Sequence, residues 1–343
     1  MLDQKQNDEL NAIAKQMVAP GKGILAADES MGSIEKKFAK INLPSTEESR
    51  QAYRDMFFTT PGIEEFISGV ILFDETIRQK AVDGTPFVQL LERKAVLPGI
   101  KVDQGLEPMT DSPDEKVTKG LEGLADRFKE YAALGGKFAK WRAELAVSDI
   151  LPTDKSIQEN NRRLAQYAKF SQEAGIVPMV EPEVMMNGEN TMERCAEVSE
   201  KVLTSLFEEL EKAGVALEGT ILKTNMSIPG QKSGQTATPE QIAEATLRVY
   251  NKTVPKNIPG IVFLSGGQSS TEATRNLNAV TKMGSQPWPI SFSFGRALQD
   301  DALKAWQGKS ENLAAGQKAF YHRLKMNGLA LQGKYSEELE NQA

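Results

Sequence analysis

Histidine and cysteine each occur only once in the 343 residues. A zinc centre built from several Cys and His ligands is thereby excluded, and so is a disulfide within the chain. A Ser-His-Asp triad would have to use His322. Long apolar runs are missing too: none approaches the ~20 residues that a membrane span requires. A large excess of charge of one sign is missing as well, with 41 Lys+Arg against 47 Asp+Glu and a formal charge of −6. Neither nucleic acid nor an anionic membrane is favoured as the main partner by that balance. The opening MLDQKQNDELNAIAKQMVAP has early acids and no apolar stretch of signal-peptide length. Together with a free cysteine, which suits a reducing compartment, this predicts a cytoplasmic protein. Acid–base chemistry in such a chain falls mostly to Lys, Arg, Asp, Glu and Tyr.

Short apolar runs, by contrast, recur along the whole chain. They are GILAAD (23–28), SGVILFD (68–74), PGIKVD (98–103), KFAKWRAEL (137–145), GIVPMVEPE (175–183), GTILKTNM (219–226), GIVFLSGG (260–267) and PISFSFG (289–295). Most lack alternation, as strands buried on both faces of a parallel sheet do. Helical segments with readable caps lie between them. Ser45 with Glu48 reads as a capping box, Ser112-Pro113-Asp114-Glu115 as a helical first turn, and Thr238-Pro239 and Ser269 with Glu272 as two more helix starts. Longer helices are expected over roughly 155–174, 190–213 and 310–331. Eight strands separated by helices predict an α/β fold, a (β/α)8 TIM barrel; a doubly wound open sheet is the alternative. No linker or low-complexity tract divides the chain, so 1–343 reads as a single barrel domain. An N-terminal helix (about 3–18) and a C-terminal one are expected as additions on its outside.

In a barrel the active site forms at the C-terminal ends of the strands. Those ends carry Asp28 and Glu29, Asp74 and Glu75, Lys101 and Asp103, Lys140 and Arg142, Glu181 and Glu183, Lys223, Ser265-Gly266-Gly267, and Gly295-Arg296. Lys140 with Arg142, and Glu181 with Glu183, are two residues apart and so share a face. Lys140 and Lys223 lie inside apolar strands, where an ammonium is costly unless paired. An apolar setting and a neighbouring cation are the conditions under which a lysine amine becomes a nucleophile toward a carbonyl. The other reading of Lys223 is a core lysine paired with Glu181 or Asp28. The loops LSGGQSST and FSFGRALQD follow strands seven and eight, the usual phosphate-binding position, with glycines, helix starts and the Arg296 fork. Lys36, Lys37 and Lys40 read as a solvated helix face, His322 as structural or surface, and Cys195 as a buried small side chain.

The motifs GKGILAADES, KVDQG, KWRAE, VEPE, LEGTILKTN, LSGGQS and FSFGRALQ, spread over Gly21 to Tyr335, resemble those of class I fructose-1,6-bisphosphate aldolases, the Schiff-base type. The resemblance implies a lyase of glycolysis and gluconeogenesis, cleaving fructose 1,6-bisphosphate reversibly to dihydroxyacetone phosphate and glyceraldehyde 3-phosphate. It implies Lys223 as the imine-forming lysine and Glu181 as general acid/base. Lys140 would be the supporting cation, and Asp28 the group that deprotonates the C4 hydroxyl. Substrate contacts would come from Ser33, Lys101, Arg142, Ser265, Gly266, Gly295 and Arg296, with Glu183 a supporting acid. No metal or organic cofactor is implied, and the partners are small sugar phosphates; family members are often tetramers. Three positions depart from the family pattern: Thr224 replaces a proline, Lys37 an arginine near the far phosphate, and the chain ends in ELENQA rather than in a tyrosine, with Tyr335 well short of the end. Another lysine-dependent barrel aldolase or transaldolase, or a non-catalytic barrel scaffold, are the competing readings.

Overall fold

The computed structural model describes residues 2–341. Eight parallel strands close on themselves: Gly23–Ala27, Ile67–Leu72, Leu97–Lys101, Phe138–Leu145, Val177–Val184, Ile221–Thr224, Ile261–Phe263 and Ile290–Phe294. They pair in chain order, and the first pairs with the eighth, Ile24 opposite Ser293 and Leu25 opposite Phe294. That closing pair excludes the open-sheet alternative. All eight expected runs contain a strand.

Barrel geometry follows from the period of two along each strand. Ile24, Ala26, Ile71, Leu97, Phe138, Val177, Met179, Ile221 and Val262 form an apolar cluster of their own, made of the residues that point into the barrel. Alternate residues such as Leu25, Val70, Ile100, Val180 and Leu222 pack outward under the helices in a larger core. Inside, Phe138 occupies space that only glycine leaves: a Cβ on Gly99 would fall 2.2 Å from its ring.

The first helix, Gln4–Met17, starts on a reciprocal cap between Asp3 and Gln6. Its buried residues Leu10, Ala14 and Met17 join the interior cluster. The helix therefore plugs the N-terminal end of the barrel rather than lying on its outside as expected. Its spacing of four and three residues makes one apolar stripe, and the open end of the barrel is apolar surface that needs covering. The C-terminal helix Leu313–Ala330 does lie outside, with Phe320 against Phe57 and Asn327 Oδ1 accepting from Thr274 Oγ1 at 3.1 Å.

Two local expectations are corrected. Ser112–Thr118 is a strand, not a helix start, and pairs antiparallel with Leu106–Met109. The hairpin is docked by Glu115, whose carboxylate accepts from Thr153 N at 2.8 Å and Thr153 Oγ1 at 2.7 Å, and by Thr118 Oγ1 donating to Arg142 O at 2.7 Å. Pro113 is tolerated because this is an edge, and the helix follows only at Leu124–Ala133. Likewise the cap expected at Ser45 is made one residue later, by Thr46 with Ser49.

Candidate active site

A cavity of about 1270 Å³ opens at the C-terminal end of the barrel. All eleven residues singled out from the sequence line it: Asp28, Ser33, Lys101, Lys140, Arg142, Glu181, Lys223, Ser265, Gly266, Gly295 and Arg296. Seven different strands or strand-end loops deliver them, so nothing short of barrel closure brings them together.

At the floor, four side chains touch in series. Lys223 Nζ lies 3.1 Å from Glu181 Oε1. The other oxygen of Glu181 is 3.4 Å from Lys140 Nζ, and Lys140 Nζ is 2.7 Å from Asp28 Oδ2. Lys223, Glu181 and Lys140 expose 5% or less of their side chains. An ammonium so placed would cost several kcal/mol if unpaired, by roughly the desolvation penalty of a buried ion; here each one has a carboxylate. Burial alone would push Lys140 toward neutrality, but Asp28, Glu181 and Asp103 outweigh it and hold the ammonium well above the usual lysine range. Burial would raise Asp28 in turn, and Lys140, Lys223 and Lys101 overcome it, holding the carboxyl well below the usual aspartate range. Both readings of Lys223 thus describe the same geometry: it is ion-paired, with Glu181, and it faces the cavity.

On one wall Arg142 donates through Nε to Glu183 and through Nη1 to Glu144, and this pairing raises the guanidinium above its ordinary range against the pull of burial. Lys101 Nζ donates to Asp103 Oδ1 at 2.5 Å and to its carbonyl at 2.8 Å. Across the mouth, Ser265 and Gly266 follow strand seven. A Cβ at Gly266 would sit 2.2 Å from Met186 Cε and 3.3 Å from Glu183 Oε1, so any larger residue there would have to displace the Met186 side chain. Gly295 caps the helix Arg296–Trp306 with no side-chain acceptor on its first N–H groups. Those donors and the exposed Arg296 make this helix start a place for an anion. Ser33 lies near the start of the helix Met31–Ala39, its Oγ 3.1 Å from Ser30 Oγ.

Two features of the site were not singled out from the sequence. Asp103, noted only as a strand-end charge, is buried with Oδ2 4.0 Å from Lys140 Nζ and so faces both lysines; its spacing of two from Lys101 was the available signal. Glu29 is the other. It pairs with Arg54 at 2.7 Å and with Lys37 at 2.6 Å, which overcome burial to lower its carboxyl. Lys37 is therefore not part of a solvated face: it is buried, donating to Glu29, to Tyr53 at 3.3 Å and to Gln299. Only Lys36 and Lys40 of that run are exposed. Asp74 and Glu75, at the end of strand two, are taken up by Arg78 and Tyr131 and by Arg50. Cys195 is fully buried, its thiol pushed up to about 11 by burial. His322 and Tyr335 lie away from the mouth, both on Glu340, at 3.2 and 2.8 Å.

An eight-stranded barrel with a buried lysine–carboxylate chain at its mouth is a setting in which a lysine amine can act on a carbonyl. Comparison with known proteins narrows the class. The family model described as "Glycolytic: Fructose-bisphosphate aldolase class-I" matches residues 9–343. A cytosolic fructose-bisphosphate aldolase of Arabidopsis thaliana is 51% identical over 97% of this chain and 93% of its own. The cytoplasmic isozyme of Spinacia oleracea is 50% identical over 96% of this chain and 93% of its own. A solved fructose-bisphosphate aldolase of Plasmodium falciparum, in complex with TRAP and a small-molecule inhibitor, superposes with a TM-score of 0.96 at 46% identity, covering 98% of this chain and 97% of that one. The chain belongs to the class I fructose-bisphosphate aldolase family, lyases that work through a lysine Schiff base.

Proposed function

We propose that this chain cleaves fructose 1,6-bisphosphate reversibly, with Lys223 as the imine-forming residue. The observation that carries the reading is the unbroken contact series Lys223–Glu181–Lys140–Asp28 on the cavity floor. The unprotonated Lys223 amine attacks the C2 ketone to give a carbinolamine. Glu181, within hydrogen-bond reach of Lys223 Nζ, delivers the proton with which the hydroxyl leaves as water. Lys140, held charged by its carboxylates, stabilises the negative charge that develops beside the imine. Asp28 is ionised throughout the working range and accepts the C4 hydroxyl proton. The C3–C4 bonding pair then moves into the iminium, glyceraldehyde 3-phosphate departs, and an enamine remains. Protonation at C3 and hydrolysis release dihydroxyacetone phosphate and restore Lys223.

Ser265, Gly266, Gly295 and Arg296 hold the C1 phosphate, on the helix-start donors described above. Ser33, Lys101 and Arg142 meet the open sugar and its far phosphate, with Lys37 withdrawn into its pair with Glu29. The imine supplies the electron sink, so no metal or organic cofactor enters the scheme. We assign the whole chain to one barrel domain acting on small sugar phosphates in the cytoplasm, in keeping with the names of its plant relatives; among the described residues no helix is long and apolar enough to cross a membrane. The family resemblance implies a homotetramer, which sedimentation would test. The function is tested by a coupled cleavage assay after EDTA dialysis: activity on the bisphosphate survives chelation, and activity lost to EDTA and restored by a divalent metal overturns the scheme. A preference for a sugar monophosphate would favour a different lysine-dependent aldolase.

A further inference from the structure

Backbone pairing between the fifth and sixth strands ends just short of the chemistry. The ladder pairs Met179 with Ile221 and Val180 with Leu222. Glu181 and Lys223 are the next residues on each strand, and their side chains meet at 3.1 Å. The flanking ladders run further: strand four stays paired with strand five as far as Leu145 and Val184, and strand six with strand seven as far as Thr224 and Phe263. Adjacent strands diverge by their twist wherever no hydrogen bond holds them.

Asn225 spans this gap. Its Oδ1 accepts from the backbone N–H of Val184 at 3.0 Å, joining the segment just beyond Lys223 to the segment just beyond Glu181. The side chain is itself held: Nδ2 donates to Met226 O at 3.2 Å and lies 3.4 Å from Ser199 Oγ and 3.8 Å from Cys195 Sγ on the helix Met192–Lys212. The residue is 1% exposed. From the other side, Tyr250 donates to the Asn225 carbonyl, and Ser227 N donates to Thr246 Oγ1 at 2.9 Å, both on the helix Pro239–Thr253. Asn225 touches neither the cavity nor the reacting groups, yet its amide oxygen supplies the strand-to-strand bond that the ladder lacks at this level.

We propose that Asn225 is a positioning residue for the Lys223–Glu181 pair, a side-chain substitute for a ladder hydrogen bond that sets how closely the amine and the carboxyl meet. The proposal rests on Lys223 being the imine-forming lysine. Removing the link lets the sixth strand end shift relative to the fifth, and displacements near 1 Å at a reacting centre cost about 100-fold in rate.

The test is the single-turnover rate at which dihydroxyacetone phosphate becomes borohydride-trappable, measured with kcat, KM and Tm. Asn225→Ala should slow trapping and kcat together by about 100-fold, leave KM nearly unchanged, and keep the adduct on Lys223. Asn225→Ser places its oxygen too far from Val184 N–H and carries the same expectation, which guards against an alanine variant that does not fold. Asn225→Asp keeps an oxygen for Val184 N–H and should recover most of the rate at a lower Tm. Ser199→Ala, which removes only a partner of the far side of the amide, should lower Tm and leave the trapping rate alone. Folded alanine and serine variants that trap at the wild-type rate overturn the proposal, and so does an aspartate variant as slow as alanine. An adduct of the unmodified protein on another lysine fails the assignment beneath it, and does so before any variant is compared.

Discussion

The two ends of this barrel are built from the same strands and the same period of two, yet they differ completely in chemistry. Low in the barrel the inward positions are Ala26, Phe138, Met179 and Ile221, in a layer closed off by the first helix. Two residues further along, Asp28 follows Ala26, Lys140 follows Phe138, Glu181 follows Met179 and Lys223 follows Ile221. The lower layer is a packed apolar core whose contribution is stability. The upper layer buries two ammonium and two carboxylate groups, whose mutual attraction roughly offsets desolvation and whose net stabilisation is small. Function and stability are thus separated along the barrel axis by a single pleat, and substitutions at the two levels should fail in different ways.

The largest effect belongs to the upper layer. Lys223→Met should lower turnover on the order of 10⁵-fold, as loss of a covalent nucleophile does, while the melting temperature changes little, because Glu181 keeps its second cation, Lys140, at 3.4 Å and is not left as an uncompensated buried charge. Turnover within tenfold of wild type, roughly 1.4 kcal/mol of barrier, would break the comparison. Phe138→Ala is its mirror image. It empties the space against Gly99 and should cost ~3–5 kcal/mol of unfolding free energy in chemical denaturation, with kcat per folded molecule nearly unchanged. Arg296→Ala, at the exposed rim, should weaken phosphate-bearing ligands by ~10–100-fold, the range of a charge-assisted hydrogen bond, with little change in stability; unaltered affinity in calorimetry would remove the phosphate from strand eight.

The smallest effect is on pH dependence. Asp28 is held below its ordinary value of 3.8, so its contribution to stability is complete above that pH and is lost as pH falls toward the depressed value. Lys140 is held above 10.5, so its contribution is complete below that pH and is lost only as pH rises through the elevated value. Across the neutral range the pair therefore adds no slope. Asp28→Asn should flatten the acid side of the stability curve below about pH 4, measured by denaturant titration, and leave the curve between pH 6 and 9 parallel to wild type at roughly constant offset.

Much of this arrangement was legible beforehand because barrel strands are short, apolar and continuous, and because the charges at their ends stand out against that background. Eight runs gave eight strands, and the eleven residues singled out as candidates converged on one cavity, while the strand-end residues Glu75 and Gly267 stay outside its lining. What the pattern missed has physical reasons. Ser112-Pro113-Asp114-Glu115 has the composition of a helix start, but its partner strand, only a tight turn away, competes successfully for its backbone. Lys37 looked solvated beside Lys36 and Lys40, although it shares a helical face with the buried Ile34 and Phe38; its burial could be read from that spacing, whereas Arg54 and Gln299 come from distant segments with no local signal. The first helix showed an apolar stripe, but a stripe does not say whether it covers a flank or an end.

The central claim is that one buried amine, Lys223, makes the covalent bond to the substrate. Borohydride reduction in the presence of dihydroxyacetone phosphate, followed by peptide mapping, tests it most directly. The account predicts a single stable adduct in the peptide containing ILKTN, absent from Lys223→Met. An adduct on Lys140, on Lys101 or on any other lysine, or none at all in an active preparation, would contradict it.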